Sequence, residues 1–149
     1  MEIREIAVVE SIEQAGPLLR EHWDEIARNK EVMVLKPNVP VYRALEESGA
    51  LIGLGAFDGD RMVGYCVSII TPHLHYADLI YTSNDVIFIS ATHRGGSAGI
   101  RLMRETERIA RERGSQLMLW HAKPNTALVE ILPRMGGYAV QDVIYSKTL

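Results

Sequence analysis

The amino-acid sequence predicts an α+β (mixed α/β) fold in which helices cover a central sheet. The first observation is the order of its patterned segments, which runs β, α, α, β, β, β, α, β, α, β. The second is Asp58-Gly59, a strong hairpin signal because it lies between two apolar β-rich runs. The third is the ordinary globular composition of the 149 residues, 47% hydrophobic and 23% charged. Together they predict one domain over residues 1–149 with a mixed sheet.

The N-terminal part of the chain is predicted to contain one strand, two helices and the hairpin. Apolar residues from Ile3 to Val9 indicate the first strand. Ser11 offers an N-cap, and with Pro17 near its first turn a helix extends to about Asn29. The remaining predicted elements are a helix over Val41 to Glu47 and the hairpin strands Ala50 to Phe57 and Met62 to Ile70.

The C-terminal part alternates strands and helices. A loop from Pro72 to Asn84 leads to a buried strand, Asp85 to Ser90. Apolar residues at helical spacing predict the clearest helix, Gly96 to Arg113. The last predicted elements are a strand over Gln116 to His121, a helix from Pro124-Asn125-Thr126 to about Met135 with its end distorted by Pro133, and a strand over Tyr138 to Ser146.

Charge and cysteine content exclude several classes of protein. The net charge of −3 argues against a nucleic-acid coat or a membrane-surface protein. Cys66 is the only cysteine, which excludes an internal disulfide and a CxxC redox or zinc site. The polar start, Met1-Glu2-Ile3-Arg4-Glu5, is unlike a signal peptide, and no apolar run reaches the length of a membrane span. A cytoplasmic location is therefore expected.

The most informative segment is Arg94-Gly95-Gly96-Ser97-Ala98-Gly99, between a strand and an amphipathic helix. Small residues at the first turn of a helix leave backbone N–H groups uncovered, and such groups bind phosphate readily. The nucleotide-triphosphate loop is excluded because no Gly-Lys-Ser/Thr is present. The dinucleotide fingerprint fits poorly, since the glycines are spaced GGxxG and follow an antiparallel hairpin.

Arg94-x-x-Ser97-x-Gly99 resembles the pyrophosphate loop of the GNAT superfamily of acyl-CoA N-acyltransferases. Asn125, followed by a helix and Gly136-Gly137-Tyr138, is similar to the Asn…Gly-Phe segment of that family. The resemblance implies a GNAT-like fold: a mostly antiparallel twisted sheet of about six to seven strands, splayed between strands 4 and 5, with about four helices. It also implies transfer of an acetyl group from acetyl-CoA, without a metal, to the primary amine of a small molecule or peptide by direct attack in a ternary complex.

The resemblance assigns acetyl-CoA to one group of residues. Ile87 and Ile89 would pair with the pantetheine arm through their backbone, as in strand addition. The pyrophosphate would lie on the loop, with Asn125 nearby; the loop residues are Arg94, Gly95, Gly96, Ser97, Ala98 and Gly99. Ser97 stands where the family usually has glycine, which predicts weakened rather than lost binding.

A second group of residues is assigned to catalysis and to the acceptor. Asp85 matches the acidic base that the family often carries on its fourth strand, with strand-end capping or a loop hydrogen bond as the alternative role. His75 is a candidate proton shuttle because histidine titrates near neutrality. The family tyrosine that protonates the thiolate is absent from Ile131-Leu132-Pro133-Arg134. That role passes to water, Tyr138 or Tyr145, or stays unfilled. The acceptor wall is predicted from aromatic residues: His22, Trp23, Tyr42 and Tyr76.

Two other functions stay open on the sequence alone. The missing tyrosine and Ser97 allow an acyl-CoA-binding module without catalysis. His22-Trp23, Pro72-His73-Leu74-His75-Tyr76 and Asn84-Asp85 resemble phage and prophage GNAT-type proteins, which allows a non-enzymatic interaction protein of a mobile element. The negative charge disfavours bare nucleic acid as a partner. Homodimers are common in the family, and the sequence does not decide between monomer and dimer.

Overall fold

The computed structural model describes residues 1–149, which form five β-strands and five α-helices. The strands are β1 (Glu2–Glu5), β2 (Leu51–Asp58), β3 (Arg61–Pro72), β4 (Ile80–Ile89) and β5 (Leu117–Leu119). The helices are α1 (Val8–Gln14), α2 (Gly16–Ile26), α3 (Val39–Glu47), α4 (Ala98–Glu112) and α5 (Ala127–Ile131). Short 3-10 turns follow β4 and α5, at Ala91–His93 and Leu132–Arg134.

The strands form a single sheet in the order β1-β2-β3-β4-β5. Neighbouring strands from β1 to β4 are antiparallel, whereas β5 is parallel to β4. The predicted mixed α/β class and the mostly antiparallel sheet are therefore confirmed. The count of five strands is lower than the six to seven expected.

The β2–β3 hairpin forms where the sequence predicts it. Asp58 pairs with Arg61 across a two-residue turn, so the chain reverses at Gly59 and Asp60. Gly59 has φ +58°, a conformation that costs glycine little and other residues more. The Asp-Gly signal therefore fixes the register of β2 against β3, and β4 is paired against the other edge of β3.

Helices cover both faces of the sheet. On one face α4 buries Leu102 and Ile109 against Ile52 and Leu54 of β2. On the other face α2 packs Leu18 against a second apolar cluster, which contains Phe57, Tyr65 and Phe88. Alternate residues of a strand point to opposite faces, so β4 contributes to both layers and lies between them. No helix combines the length and apolar character that crossing a membrane requires.

The N-terminal elements differ from the prediction. β1 ends at Glu5, and Val8 and Val9 begin α1 instead of ending a strand. The N–H groups of both valines donate to the carboxylate of Glu46 on α3, which caps α1 from a distant part of the chain. The predicted helix up to Asn29 is two helices, because α2 starts anew at Gly16 with Pro17 in its first turn.

The prediction also fails near the C-terminus and in the loop before β4. β4 begins at Ile80, so the loop predicted from Pro72 to Asn84 is shorter. Tyr138 to Ser146 forms no strand. The β4–β5 ladder holds only three residue pairs, so β5 offers a short edge to any further strand. The apolar side chains of this segment stay exposed, with Ile144 at 77% and Tyr145 at 91%.

Candidate active site

β4 and β5 separate partway along their length. Tyr81, Thr82 and Ser83 pair with Leu117–Leu119, and the ladder then ends. The buried side chain of Asn84 closes this point: its Oδ1 accepts from the His121 N–H at 2.6 Å, and its Nδ2 donates to the His121 carbonyl at 3.3 Å. Beyond Asn84, β4 continues to Ile89 without a strand on that side. The predicted splay between strands 4 and 5 is present, and a side-chain amide holds its apex.

The free edge of β4 offers backbone groups to this gap. The Ser90 N–H donates to the Val63 carbonyl at 2.8 Å, so Ser90 is a hydrogen-bonded position toward β3. Backbone polar groups alternate in direction along an antiparallel strand, so those of Ile87 and Ile89 point away from β3. Both residues therefore present backbone groups to the gap between β4 and β5. The Ile89 carbonyl already accepts a bond from Arg94 Nε at 2.8 Å.

The glycine-rich loop leaves a row of backbone donors uncovered. The N–H groups of residues 95–100 make no hydrogen bond within the protein. Ser97 is the N-cap of α4, and its hydroxyl makes no capping bond. A Cβ added at Gly96 or Gly99 would meet nothing within 4 Å, so packing does not require glycine at either position. The start of this 15-residue helix is a suitable site for an anion, and the residues fit a pyrophosphate.

Arg94 is already paired within the protein. Its Nη1 and Nη2 each lie 2.7 Å from an oxygen of Glu25 on α2, a bidentate ion pair. The guanidinium carbon also lies 5.1 Å from the centre of the Phe88 ring. The hydrogen bond from Arg94 lowers the pKa of Glu25 below its usual range. Arg94 thus connects α2 with the end of β4, and all three of its guanidinium nitrogens have partners within the protein.

Asp85 lies at an irregularity in β4. Val67 pairs with Val86 while Ser68 pairs with Asn84, so Asp85 is the extra residue of a β-bulge. A bulge re-aims side chains, and Asp85 is exposed between the buried Asn84 and the partly buried Val86. Its Oδ2 accepts a hydrogen bond from the hydroxyl of Tyr42 on α3, whereas its Oδ1 has no partner in the protein. Burial, and then this bond, raise the pKa of Tyr42, so the tyrosine remains a donor at neutral pH.

A second polar pair lies on the same face of the sheet. His22 Nδ1 is 2.6 Å from the Tyr65 hydroxyl, and the His22 ring stacks on Phe88 with 4.6 Å between centroids. Burial lowers the pKa of His22 to about 4, so the ring that is hydrogen-bonded to Tyr65 is neutral at pH 7. Burial also raises the pKa of Tyr65, and the charge of Asp85 contributes. His22 is predicted from the sequence as part of the acceptor wall, and no local signal pairs it with Tyr65, 43 residues away.

Trp23 and Tyr76, two of the predicted acceptor residues, lie on different parts of the protein surface. Trp23 lies at the surface, where its Nε1 donates to the Met33 carbonyl at 2.6 Å and holds the segment between α2 and α3. Tyr76 is 60% exposed in the loop before β4, beside His75. In that loop the N–H groups of His75 and Tyr76 donate to His73 Nδ1 at 3.0 and 3.2 Å. The stretch from Ile80 to Asp85 spans about 16 Å at the usual strand rise, so the structure does not bring His75 or Tyr76 to Asp85.

The remaining predicted residues lie after β5. Asn125 is exposed, has φ +63° and immediately precedes Thr126, the N-cap of α5. The Tyr138 hydroxyl donates to Glu107 Oε1 at 2.6 Å, and Trp120 Nε1 donates to the same oxygen at 2.9 Å. Burial and this bond raise the pKa of Tyr138 to about 12. Tyr138 is therefore already hydrogen-bonded to Glu107 on α4, whereas Tyr145 is 91% exposed.

Comparison with known proteins gives a consistent result. A family model described as "Acetyltransferase (GNAT) family" matches residues 17–136 of the chain. No curated protein matches it. Among solved structures, a ribosomal-protein-alanine N-acetyltransferase from Brucella melitensis biovar Abortus 2308 is 18% identical with a TM-score of 0.72, and each chain is covered over 100% of its length.

Two further structures widen the range of similar proteins. A transcriptional regulator from Bacillus halodurans C-125 is 18% identical, with a TM-score of 0.77 over 99% of each chain. An aminoglycoside acetyltransferase from an uncultured soil metagenomic sample is 13% identical, with a TM-score of 0.75 over 99% of this chain and 97% of that one. At these identities the likeness concerns the fold alone.

Proposed function

Because the chain belongs to the acetyltransferase (GNAT) family, we propose that it transfers an acetyl group from acetyl-CoA to a primary amine. One observation carries the proposal: a single strand, β4, combines an open backbone edge, an exposed carboxylate at a bulge and a following loop of uncovered amides. The open edge and the uncovered amides suit an elongated phosphorylated thioester, and the exposed carboxylate suits an amine. The catalytic and binding assignments below are parts of this proposal.

The donor would lie along β4 toward α4. The amides of residues 95–100, with the dipole of α4, would hold the pyrophosphate. The pantetheine arm would pair with the free backbone groups of Ile87 and with the N–H of Ile89. The exposed Asn125, which follows β5 and precedes α5 in the chain, would contact the donor as the resemblance implies. Bound acetyl-CoA would supply the activated acyl carbon.

Asp85 would act as the general base. The amine nitrogen forms a bond to the thioester carbon, the C–S bond breaks, and the nitrogen gives up a proton. Asp85 Oδ1, which has no partner in the protein, would receive this proton directly or through a water. Tyr42 holds Oδ2, so the carboxylate is oriented rather than free to rotate. Solvent water would return a proton to the thiolate, and this balances the reaction.

The test is thiol release from acetyl-CoA in the presence of a panel of primary amines. We expect release with the wild-type protein and a fall in kcat of about 10²- to 10⁴-fold for Asp85→Asn, the usual contribution of a general base. Asp78→Asn, in the loop before β4, is the matched control and should behave as wild type. Equal rates for the Asp85→Asn and wild-type proteins would show that Asp85 is not the base.

Binding must be measured apart from turnover. Calorimetry with CoA and acetyl-CoA distinguishes a transferase from an acyl-CoA-binding module, since both bind but only the transferase releases thiol. We expect binding to both ligands. Absence of binding at millimolar ligand would overturn the whole proposal. A second substitution, His75→Ala, tests the proton-shuttle hypothesis from the sequence. The distance between its loop and Asp85 predicts an unchanged rate.

A further inference from the structure

A small cavity lies beside Asp85, between the sheet and helices α1, α2 and α3. Its volume is about 50 Å³, and ten of its twelve lining residues are hydrophobic. Val86 and Tyr42 form part of its wall; Val86 follows Asp85 in the chain, and Tyr42 donates to the Asp85 carboxylate. The cavity and the free Asp85 oxygen therefore share neighbours on the helix-covered face of β4.

The polar groups that line this cavity are already bonded. Tyr65 and Tyr42 both contribute to the wall, but the Tyr65 hydroxyl is bonded to His22 and the Tyr42 hydroxyl to Asp85. The only other polar side chain in the wall is that of Ser11. A cavity with few free donors or acceptors favours hydrocarbon over water or a hydroxylated group.

The size of the cavity limits what can enter. A cavity of about 10–15 Å³ holds one water, and an apolar cavity of about 150 Å³ binds benzene. At about 50 Å³, this one suits a short or branched aliphatic group and is too small for an aromatic or sugar ring.

The carboxylates near the cavity indicate that the ligand carries a single positive charge. Glu21 accepts from the Ser90 hydroxyl and the Ala91 N–H, Glu25 pairs with Arg94, and Glu46 caps α1. Among these acidic groups only Asp85 keeps an oxygen without a protein partner. A polycation would find one available carboxylate here and not several.

We propose that the acceptor is a small aliphatic monoamine, whose ammonium pairs with Asp85 and whose hydrocarbon group enters the cavity beside Val86 and Tyr42. This inference rests on the proposed transferase function. It distinguishes this chain from the aminoglycoside acetyltransferase that it resembles in fold. Before it reacts, the ammonium loses one proton to solvent; Asp85 takes the second as the C–N bond forms, and solvent water protonates the thiolate as the C–S bond breaks. One neutral amide and one thiol result, and one proton is released to solvent in each turnover once Asp85 has returned its proton.

The experiment compares kcat/KM for four amines with acetyl-CoA: 3-methylbutylamine, ethanolamine, putrescine and glucosamine. Burying about three carbons at about 0.8 kcal/mol each predicts a preference for 3-methylbutylamine over ethanolamine of about 10- to 60-fold. For putrescine and glucosamine, kcat/KM should also be at least tenfold lower than for 3-methylbutylamine. Equal or better turnover of putrescine, glucosamine or ethanolamine would overturn the acceptor class while leaving the transferase function intact.

A substitution locates the preference in the cavity. Ala15→Leu adds hydrocarbon to the cavity wall and should reduce the ratio of kcat/KM between 3-methylbutylamine and ethanolamine. Ala44→Leu makes the same change at an exposed position of α3 and should leave that ratio as in wild type. Leu19→Ala enlarges the cavity and should favour a longer amine such as hexylamine.

Each variant must bind CoA with wild-type affinity, which shows that it is folded. An unchanged ratio in a folded Ala15→Leu protein, or in Leu19→Ala if Ala15→Leu does not fold, would overturn the proposal. If acetyl-CoA binds but no amine releases thiol, the transferase function fails and the acceptor class fails with it.

Discussion

Tyr42 donates a hydrogen bond to Asp85, and this contact joins helix α3 to the bulge of β4. The bulge turns the carboxylate out of the sheet, and the tyrosine fixes one of its two oxygens. A carboxylate that is held in this way keeps its other oxygen in a defined direction. The arrangement suits a base that must meet a nitrogen approaching along one line.

The Tyr42–Asp85 bond predicts a coupled loss of activity. Tyr42→Phe keeps the ring but removes the donor, so Asp85 can rotate, and we expect kcat/KM to fall by about 5- to 30-fold. Asp85→Asn should cost far more, and the double variant should be no worse than Asp85→Asn alone, because the tyrosine acts through the carboxylate. Thiol-release kinetics on the three proteins provide the measurement. Tyr81→Phe on β4 is the control; strictly additive losses would contradict the positioning role.

Substitution of Gly96 by aspartate should weaken CoA binding without destabilising the fold. Its backbone does not need glycine and no atom lies within 4 Å of an added Cβ, so Gly96→Asp should leave the free energy of unfolding nearly unchanged. The new carboxylate would repel the pyrophosphate at the start of α4, and we expect the Kd for CoA to rise at least tenfold. Gly16→Asp, also in open space, is the matched control in the calorimetry. Wild-type affinity in the Gly96→Asp protein would exclude the loop as the phosphate site.

Local chemistry explains which parts of this site the sequence could predict. The Asp58-Gly59 turn and the glycine-rich loop before α4 depend on neighbouring residues, and both lie where predicted. The GNAT resemblance, which rested mainly on that loop and the Asn125 segment, is confirmed by the family match. Contacts between distant residues were not predictable. The bonds of His22 with Tyr65 and of Asn84 with His121 link residues 43 and 37 positions apart, with no local signal.

The ion pair between Arg94 and Glu25 should lower the affinity for CoA, because it holds the guanidinium away from the phosphate loop. Both side chains are about 40% exposed, so the ion pair contributes little to stability, about 0–1 kcal/mol. Glu25→Gln should release the guanidinium toward the phosphate loop and tighten CoA binding by about two- to fivefold at low salt. The gain should vanish near 0.5 M salt, where charges are screened. Asp24→Asn is the control on the same helix. Unchanged or weaker binding in Glu25→Gln would show that Arg94 only connects α2 with β4.

Substitution of Asn84 should destabilise the protein at the point where β4 and β5 separate. Its buried amide satisfies both the N–H and the carbonyl of His121, so Asn84→Ala leaves these backbone groups without partners. We expect a loss of about 1–3 kcal/mol in the free energy of unfolding, because two part-buried hydrogen bonds are lost at about 0.5–1.5 kcal/mol each. Asn84→Asp keeps the acceptor for the His121 N–H and should lose less. Urea unfolding of the three proteins gives the comparison, and equal stability would show that the β4–β5 ladder alone sets the splay.

His22 predicts a loss of stability in mild acid. Burial lowers its pKa from 6.5 to about 4, so between these values the unfolded chain holds a proton that the folded chain does not. The free energy of unfolding therefore keeps its full value above pH 6.5 and falls as the pH drops toward 4. The expected fall is about 2 kcal/mol after allowance for partial exposure of the ring. His22→Gln cannot titrate, so its urea midpoint should fall less between pH 7 and pH 4.5 than that of wild type. His75→Gln, in the exposed loop, controls for loss of a histidine and should follow the wild-type curve. Parallel curves for His22→Gln and wild type would mean that the neutral His22–Tyr65 pair does not contribute to acid sensitivity.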